Sequence, residues 1–188
     1  MSAEGDLDTF AKFVEHAGMK QFTFACLAFC VALSGVAAAQ APVVGHPDPE
    51  SLFTDTDPKL HANKQLVLHI VRDLLEANHW DQADKYLTRE YIQHNPNVAS
   101  GLEPVMKFFG SRKPTPIPDR RSWKTKVVSV TAEGDLVIVA LVRDYPDPRT
   151  PGRMYTSTWF DMWRIKDGKA DEHWDGATIS APPAPAPR

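Results

Sequence analysis

The sequence predicts an α+β domain, with helices first and an antiparallel sheet after them. Apolar residues recur at helical spacing in the first half of the folded region. From residue 123 onward they form strand-like runs rich in β-branched side chains. Two turn signals, Glu133-Gly134-Asp135 and Lys166-Asp167-Gly168-Lys169, divide those runs at hairpin spacing.

Residues 63–76 read as the first helix, with Leu66, Val67, Ile70, Val71, Leu74 and Leu75 on one buried stripe. His69 and Arg72 fall on the opposite face, which makes His69 a solvated histidine. Asp81 is placed to cap a second, short helix, with Ala83, Tyr86 and Leu87 turned inward. Tyr91-Ile92-Gln93-His94 reads as extended and stops at Asn95-Pro96, because the residue before proline avoids the helical region. Ser100-Gly101-Leu102-Glu103 reads as a capping box opening a third helix that carries Val105, Met106 and Phe109. Pro104 is tolerable in its first turn. Residues 110–121 are a polar, proline-rich loop, and residues 123–130 the first strand of the second half. The continuous apolar run 136–142 predicts a strand buried on both faces or central in its sheet. After a Pro/Asp loop at 145–152, residues 154–165 form a long strand and residues 170–176 the last one.

The chain has 188 residues, 43% hydrophobic and 24% charged, which fits one globular domain. Its net charge of −3 provides no basic field for a phosphate backbone, so no nucleic-acid partner is expected. Residues 22–36 are apolar except for Thr23, Ser34 and Gly35. That run is shorter than the roughly 20 residues a membrane span needs. Lys20 precedes it and Ala37-Ala38-Ala39 follows, the pattern of a secretory signal peptide. Residues 1–39 therefore read as a signal-peptide region cleaved near Ala39. The mature protein is then periplasmic or secreted and keeps no stable membrane span. Met19, directly before Lys20, reads as the true start, with residues 1–18 upstream of it. Residues 40–58 read as a linker, 59–178 as the folded domain and 179–188 as a proline-rich tail. Cys26 and Cys30 both lie in the apolar run, so the cleaved chain has no disulfide, thiol nucleophile or Cys-ligated zinc.

Three residues of the final hairpin can carry chemistry. Asp161 shares a strand face with Trp159 and Trp163, and His173 shares one with Asp175, while Glu172 and Trp174 take the other. Period alone fits solvent-facing residues as well as cavity-facing ones. His94, before Asn95-Pro96, is a further candidate.

Tyr91-Ile92-Gln93-His94-Asn95-Pro96, Asp161-Met162-Trp163-Arg164-Ile165-Lys166-Asp167-Gly168-Lys169 and Glu172-His173-Trp174-Asp175 together resemble the SnoaL-like polyketide cyclases. More broadly, residues 60–177 look like the nuclear-transport-factor-2-like superfamily, which includes ketosteroid isomerases and limonene epoxide hydrolases. The resemblance implies a cone, a curved antiparallel sheet wrapped around a pocket and closed by about three N-terminal helices. In the isomerases an acidic residue on the long strand points into the pocket, and Asp161 matches it. The pocket position after the second helix matches His94. The acid/base carboxylate of the cyclases matches Asp175, with His173 beside it. A histidine stands where the isomerases carry a carboxylate base, and their first-helix tyrosine has no match, which argues against steroid isomerisation.

The implied function is cofactor-independent acid–base chemistry on an apolar carbonyl compound, of the aldol condensation, cyclisation or isomerisation type. Asp175 serves as base, oriented by His173, with Asp161 or His94 as donor; Trp159, Trp163 and Tyr91 line the substrate site. An apolar cone suits a neutral carboxylic acid donor. This chemistry needs no metal, flavin or nucleotide, and the sequence has no glycine-rich phosphate loop. A metal set of His94, His173 and Asp175 is disfavoured, because no two of the histidines share a local ligand spacing. The alternative is an exported, non-catalytic ligand-binding module of the same fold. A symmetric homodimer through the outer face of the sheet is expected, covering Trp174, Trp163 or Trp159.

Overall fold

A computed structural model of the protein describes residues 40–179. Residues 1–39, where the sequence reading places a signal peptide, and residues 180–188 of the tail lie outside the described residues.

The first helix, α1 (Pro58–His69), begins before the apolar stripe does, because its first turn is set by its cap. Asp57 Oδ1 accepts the backbone N–H groups of Lys59 and Leu60 at 2.8 and 3.0 Å, and Pro58 fills a position whose N–H has no helical partner. The helix runs on into a π-helical stretch, Ile70–Glu76. Val67, Ile70, Val71 and Leu74 are buried as the stripe predicts, and Leu66 and Leu75 pack against them. A 3-10 turn, Trp80–Lys85, follows. Asp81 does not cap it: His79 occupies the cap position without a side-chain bond, and Asp81 already lies inside the turn. Nor does the capping box form at the next helix, α2 (Leu102–Phe109). Gly101 takes the cap position at φ +102°, a conformation that favours glycine, and Ser100 Oγ instead accepts the Gln93 N–H at 3.0 Å.

Five strands form one sheet: β1 (Leu87–Gln93), β2 (Val127–Glu133), β3 (Leu136–Pro146), β4 (Met154–Lys166) and β5 (Lys169–Asp175), in the order β1-β5-β4-β3-β2. The last four are antiparallel neighbours, and the extended segment β1 adds to the edge, parallel to β5. The β4–β5 hairpin turns through Asp167 and Gly168, both at positive φ, as a two-residue turn matched to strand twist requires. Pairing shifts register between Val127 and Ser129, between Arg164 and Ile165, and between Leu87 and Ile92. Such irregularities bend the strands that carry them, which curves the sheet.

Val137, Val139 and Leu141 of β3 and Trp163 and Ile165 of β4 form the buried row under α1. Phe53, in a 3-10 turn over Pro49–Phe53, is fully buried in the same core, so part of the stretch read as a linker packs into the domain. β2 starts at Val127 because the backbone before it is engaged elsewhere. Glu76 takes the N–H groups of Lys124 and Thr125 at 2.9 and 2.8 Å.

His69 is not simply solvated: its Nδ1 meets Asp73 Oδ2 at 3.0 Å. Asp73 is buried on the π turn and also receives Arg72 Nε at 2.8 Å and the Tyr86 hydroxyl at 2.9 Å. Burial alone would raise this carboxyl, but the bonds from Arg72, His69 and Tyr86 outweigh it and hold the group below its ordinary 3.8. Because the folded value is the lower one, the stabilisation is complete above the ordinary value and is lost as pH falls through the depressed one. Tyr86 is pushed up to about 12 by burial and by the Asp73 carboxylate, so its contribution holds below pH 10 and is lost as pH rises toward 12. Asp73→Asn is expected to lower stability by about 1–3 kcal/mol at neutral pH, the usual cost of disrupting a buried charge-assisted bond. Urea unfolding at a series of pH values checks it: the gap to wild type should narrow as pH falls below 4.

Candidate functional site

The register of β4 against β5 assembles the site. Asp161 stands directly opposite Asp175, and Trp163 opposite His173. Like charges facing each other across a sheet are destabilising, so this pairing needs donors to hold it. Both carboxylates have them. Asp161 Oδ1 receives the Trp159 indole N–H at 3.0 Å and lies 3.2 Å from His173 Nε2. Asp175 receives Asn95 Nδ2 at 2.7 Å on one oxygen and the Ala177 N–H at 2.9 Å on the other. Asp161 and His173 are buried, and Asp175 is half-buried.

The proton on His173 can be located from its surroundings. Gln93 Oε1 lies 2.7 Å from His173 Nδ1 and also accepts the backbone N–H of Asn95 at 3.1 Å. A backbone amide can only donate, so the Gln93 oxygen faces the ring as an acceptor and Nδ1 carries the hydrogen. His173 Nε2 then lies 3.2 Å from the Asp161 carboxyl oxygen that also accepts the Trp159 indole N–H.

Tyr91, on β1, accepts the Trp163 indole N–H at 3.2 Å. Burial, together with the nearby Asp161 and Asp175 charges, pushes its phenol well above the ordinary range, so it keeps its proton. Trp159, Asp161, Trp163, His173, Asp175 and Tyr91 all line one cavity of about 820 Å³. Its apolar lining includes Ile70 from the π turn, Val105, Phe108 and Phe109 from α2, and Leu141 from β3, and polar and charged side chains make up the rest.

His94 does not join them. Its Nε2 meets Glu172 Oε1 at 2.8 Å and its ring stacks on Trp174 at 5.0 Å, on the other side of the sheet. Strand alternation explains it, since Tyr91 and Gln93 face the cavity while Ile92 and His94 face away. His173 does not orient Asp175 either; Asn95 does. Gln93 and Asn95, the neighbours of His94, are the site residues that sequence reasoning missed. The same alternation that excludes His94 could have found Gln93. Among the described residues, Asp161, His173 and Asp175 form a group of metal-ligating type, with one donor atom from each within 4.8 Å of the others. This set contains Asp161 in place of the His94 considered from sequence.

Residues 68–173, more than half of the chain, match the family described as SnoaL-like domain. The chain belongs to this family. The SnoaL-like match begins in the last turn of α1 and ends at His173, so it contains Tyr91, Gln93, Asn95, Trp159, Asp161 and Trp163, and stops two residues before Asp175. No curated protein matches the chain significantly. Among solved structures, the SnoaL-like chain is similar to a candidate SnoaL-like polyketide cyclase from a Jannaschia species, with 21% identity, 65% of this chain and 91% of the other covered, and a TM-score of 0.46. It is similar to a candidate polyketide cyclase from Bacillus cereus at 15% identity, covering 74% and 87%, with a TM-score of 0.46. An LEH-like epoxide hydrolase from M. tuberculosis is similar at 13% identity, covering 61% and 80%, with a TM-score of 0.42.

Proposed function

We propose that this SnoaL-like protein is a small-molecule enzyme that moves a proton at a carbon next to a carbonyl, in an apolar compound and without a cofactor. The observation that supports this reading is the convergence of Asp161, His173 and Asp175 in a cavity where Tyr91, Trp159, Trp163 and Leu141 supply apolar surface beside them. Asp175, held by Asn95 and the Ala177 amide, is the base that takes the carbon-bound proton. The enolate oxygen that develops needs a donor. The Tyr91 hydroxyl, which keeps its proton, and the His173 side chain beside Asp161 both line the cavity and can supply one. Aldol condensation, cyclisation and isomerisation each begin with this step, so the step itself is the thing to measure.

The test uses an apolar ketone, beta-tetralone, in deuterium oxide. Mass spectrometry of the recovered ketone should report α-hydrogen exchange above the buffer rate. A ketone that binds without exchange would instead identify a ligand-binding module.

We also propose a dimer of two such chains through the outer sheet face. Its support is the exposure there of Phe160 at 56%, Ile92 at 42% and Ile138 at 37%, beside the half-buried Met162 and Trp174. Monomeric proteins rarely leave such a patch open. Light scattering at micromolar concentration should report twice the chain mass, and Phe160→Asp should return the monomer. A wild-type monomer at that concentration refutes the dimer.

A further inference from the structure

The cavity carries cations as well as the acidic cluster. Asp161, Asp175 and His173 gather together, and Arg143, Lys126, Lys124 and Arg112 line it elsewhere. None of these four cations is paired with a carboxylate among the described residues. Two acidic side chains besides Asp161 and Asp175 line the cavity, Glu76 and Asp144. Glu76 is engaged by the amides of Lys124 and Thr125, and Asp144 alternates with Arg143 along β3.

Arg143 is the best placed of the four. It follows Val137, Val139 and Leu141 on the same strand face, is exposed itself, and pairs across the sheet with Ser157. Its guanidinium carbon sits 5.6 Å from the centre of the Trp159 ring, a cation–π contact that steadies the group while leaving its N–H donors free. Trp159 in turn donates to Asp161. The row Ser157, Trp159, Asp161 thus leads from the cation to the Asp161–His173 contact.

We infer that the ligand is an apolar carboxylic acid, its anionic group held by Arg143 with help from Lys126, with Trp159 standing between that cation and the Asp161 end of the site. Arginine suits this role because its planar fork can bind a carboxylate through two parallel hydrogen bonds. This inference rests on the proposed function for the chemistry at the Asp161 end of the site.

Calorimetric titration of naphthylbutanoic acid and of its methyl ester tests it, since the two probes differ chiefly in charge. The acid should bind at least about 10-fold more tightly than the ester. Arg143→Gln should remove most of that preference, and Lys126→Gln part of it, with ester affinity unchanged in both. Added salt should weaken the acid and spare the ester. Equal affinity for acid and ester overturns the inference while leaving the apolar site and its proton chemistry standing. So does an Arg143→Gln variant that loses both probes alike, because the arginine is then only part of the scaffold. If neither probe binds wild-type protein, the inference and the proposed small-molecule site fall together.

Discussion

Replacing Asp175 with asparagine is expected to slow α-hydrogen exchange of a bound ketone by about 100-fold or more, the scale on which general bases contribute. Asparagine keeps the shape, and its amide oxygen can still accept from Asn95 Nδ2 or from Ala177, the two donors that hold Asp175 now. What it lacks is basicity. The fold should survive, because the substitution also removes one of two carboxylates that stand opposite each other across β4 and β5. Thermal melting should therefore stay within a few degrees of wild type or rise. A structural role predicts the reverse, a clear loss of stability with exchange unchanged. His173→Gln separates the second proton source from the base: it leaves Asp175 and its donors in place, so its exchange defect should be smaller than that of Asp175→Asn. If both variants melt well below wild type and still exchange normally, the site assignment is wrong and only the fold remains.

Truncating Trp163 to alanine is expected to cost about 3–5 kcal/mol, the range for removing a large aromatic from a packed core. Trp163 is 2% exposed, packs at 5.1 Å from the His173 ring and donates to the Tyr91 hydroxyl at 3.2 Å. Its loss leaves a void where core and site share a wall, so stability and ligand affinity should fall together. For a domain of this size that stability loss lowers the melting temperature on the order of 10 °C. Phe160→Ala is the control: Phe160 lies three residues earlier on the same strand, 56% exposed on the outer face, and truncating it should barely move the melting of the isolated chain. Equal effects at the two positions would contradict the inward and outward assignment of β4.

Much of this arrangement was legible in the sequence. The period-2 pattern of β4 and β5 put Trp159, Asp161 and Trp163 on one face and His173 with Asp175 on another, and the short hairpin brings those faces together. The stripe in α1 predicted its buried side because helical spacing has few other readings. The local capping motifs failed for a different reason. Ser100 and Asp81 fit the start of a helix by type and spacing, but a cap also requires a particular backbone geometry, which Gly101 and His79 supply instead. His94 failed because a family match by position does not say which way a strand residue points; one step of alternation exchanges cavity for exterior. Asp73 escaped notice because an aspartate within a helical stripe looks like a surface residue until Tyr86 and Arg72, from separate positions, converge on it.

The last turns of β1 have a consequence of their own. Gln93 holds His173 and Asn95 holds Asp175, yet both sit where an edge strand ends, in a parallel pairing whose register is already broken between Leu87 and Ile92. Strand ends of this kind open with far less free energy than the whole domain. The core built on α1 and Trp163 owes nothing to these few residues. On warming, the protein would therefore lose the alignment of its histidine and aspartate while its spectrum still reported a folded chain. Inactivation and unfolding would be two transitions, and the lower one would belong to the strand end that carries Gln93 and Asn95.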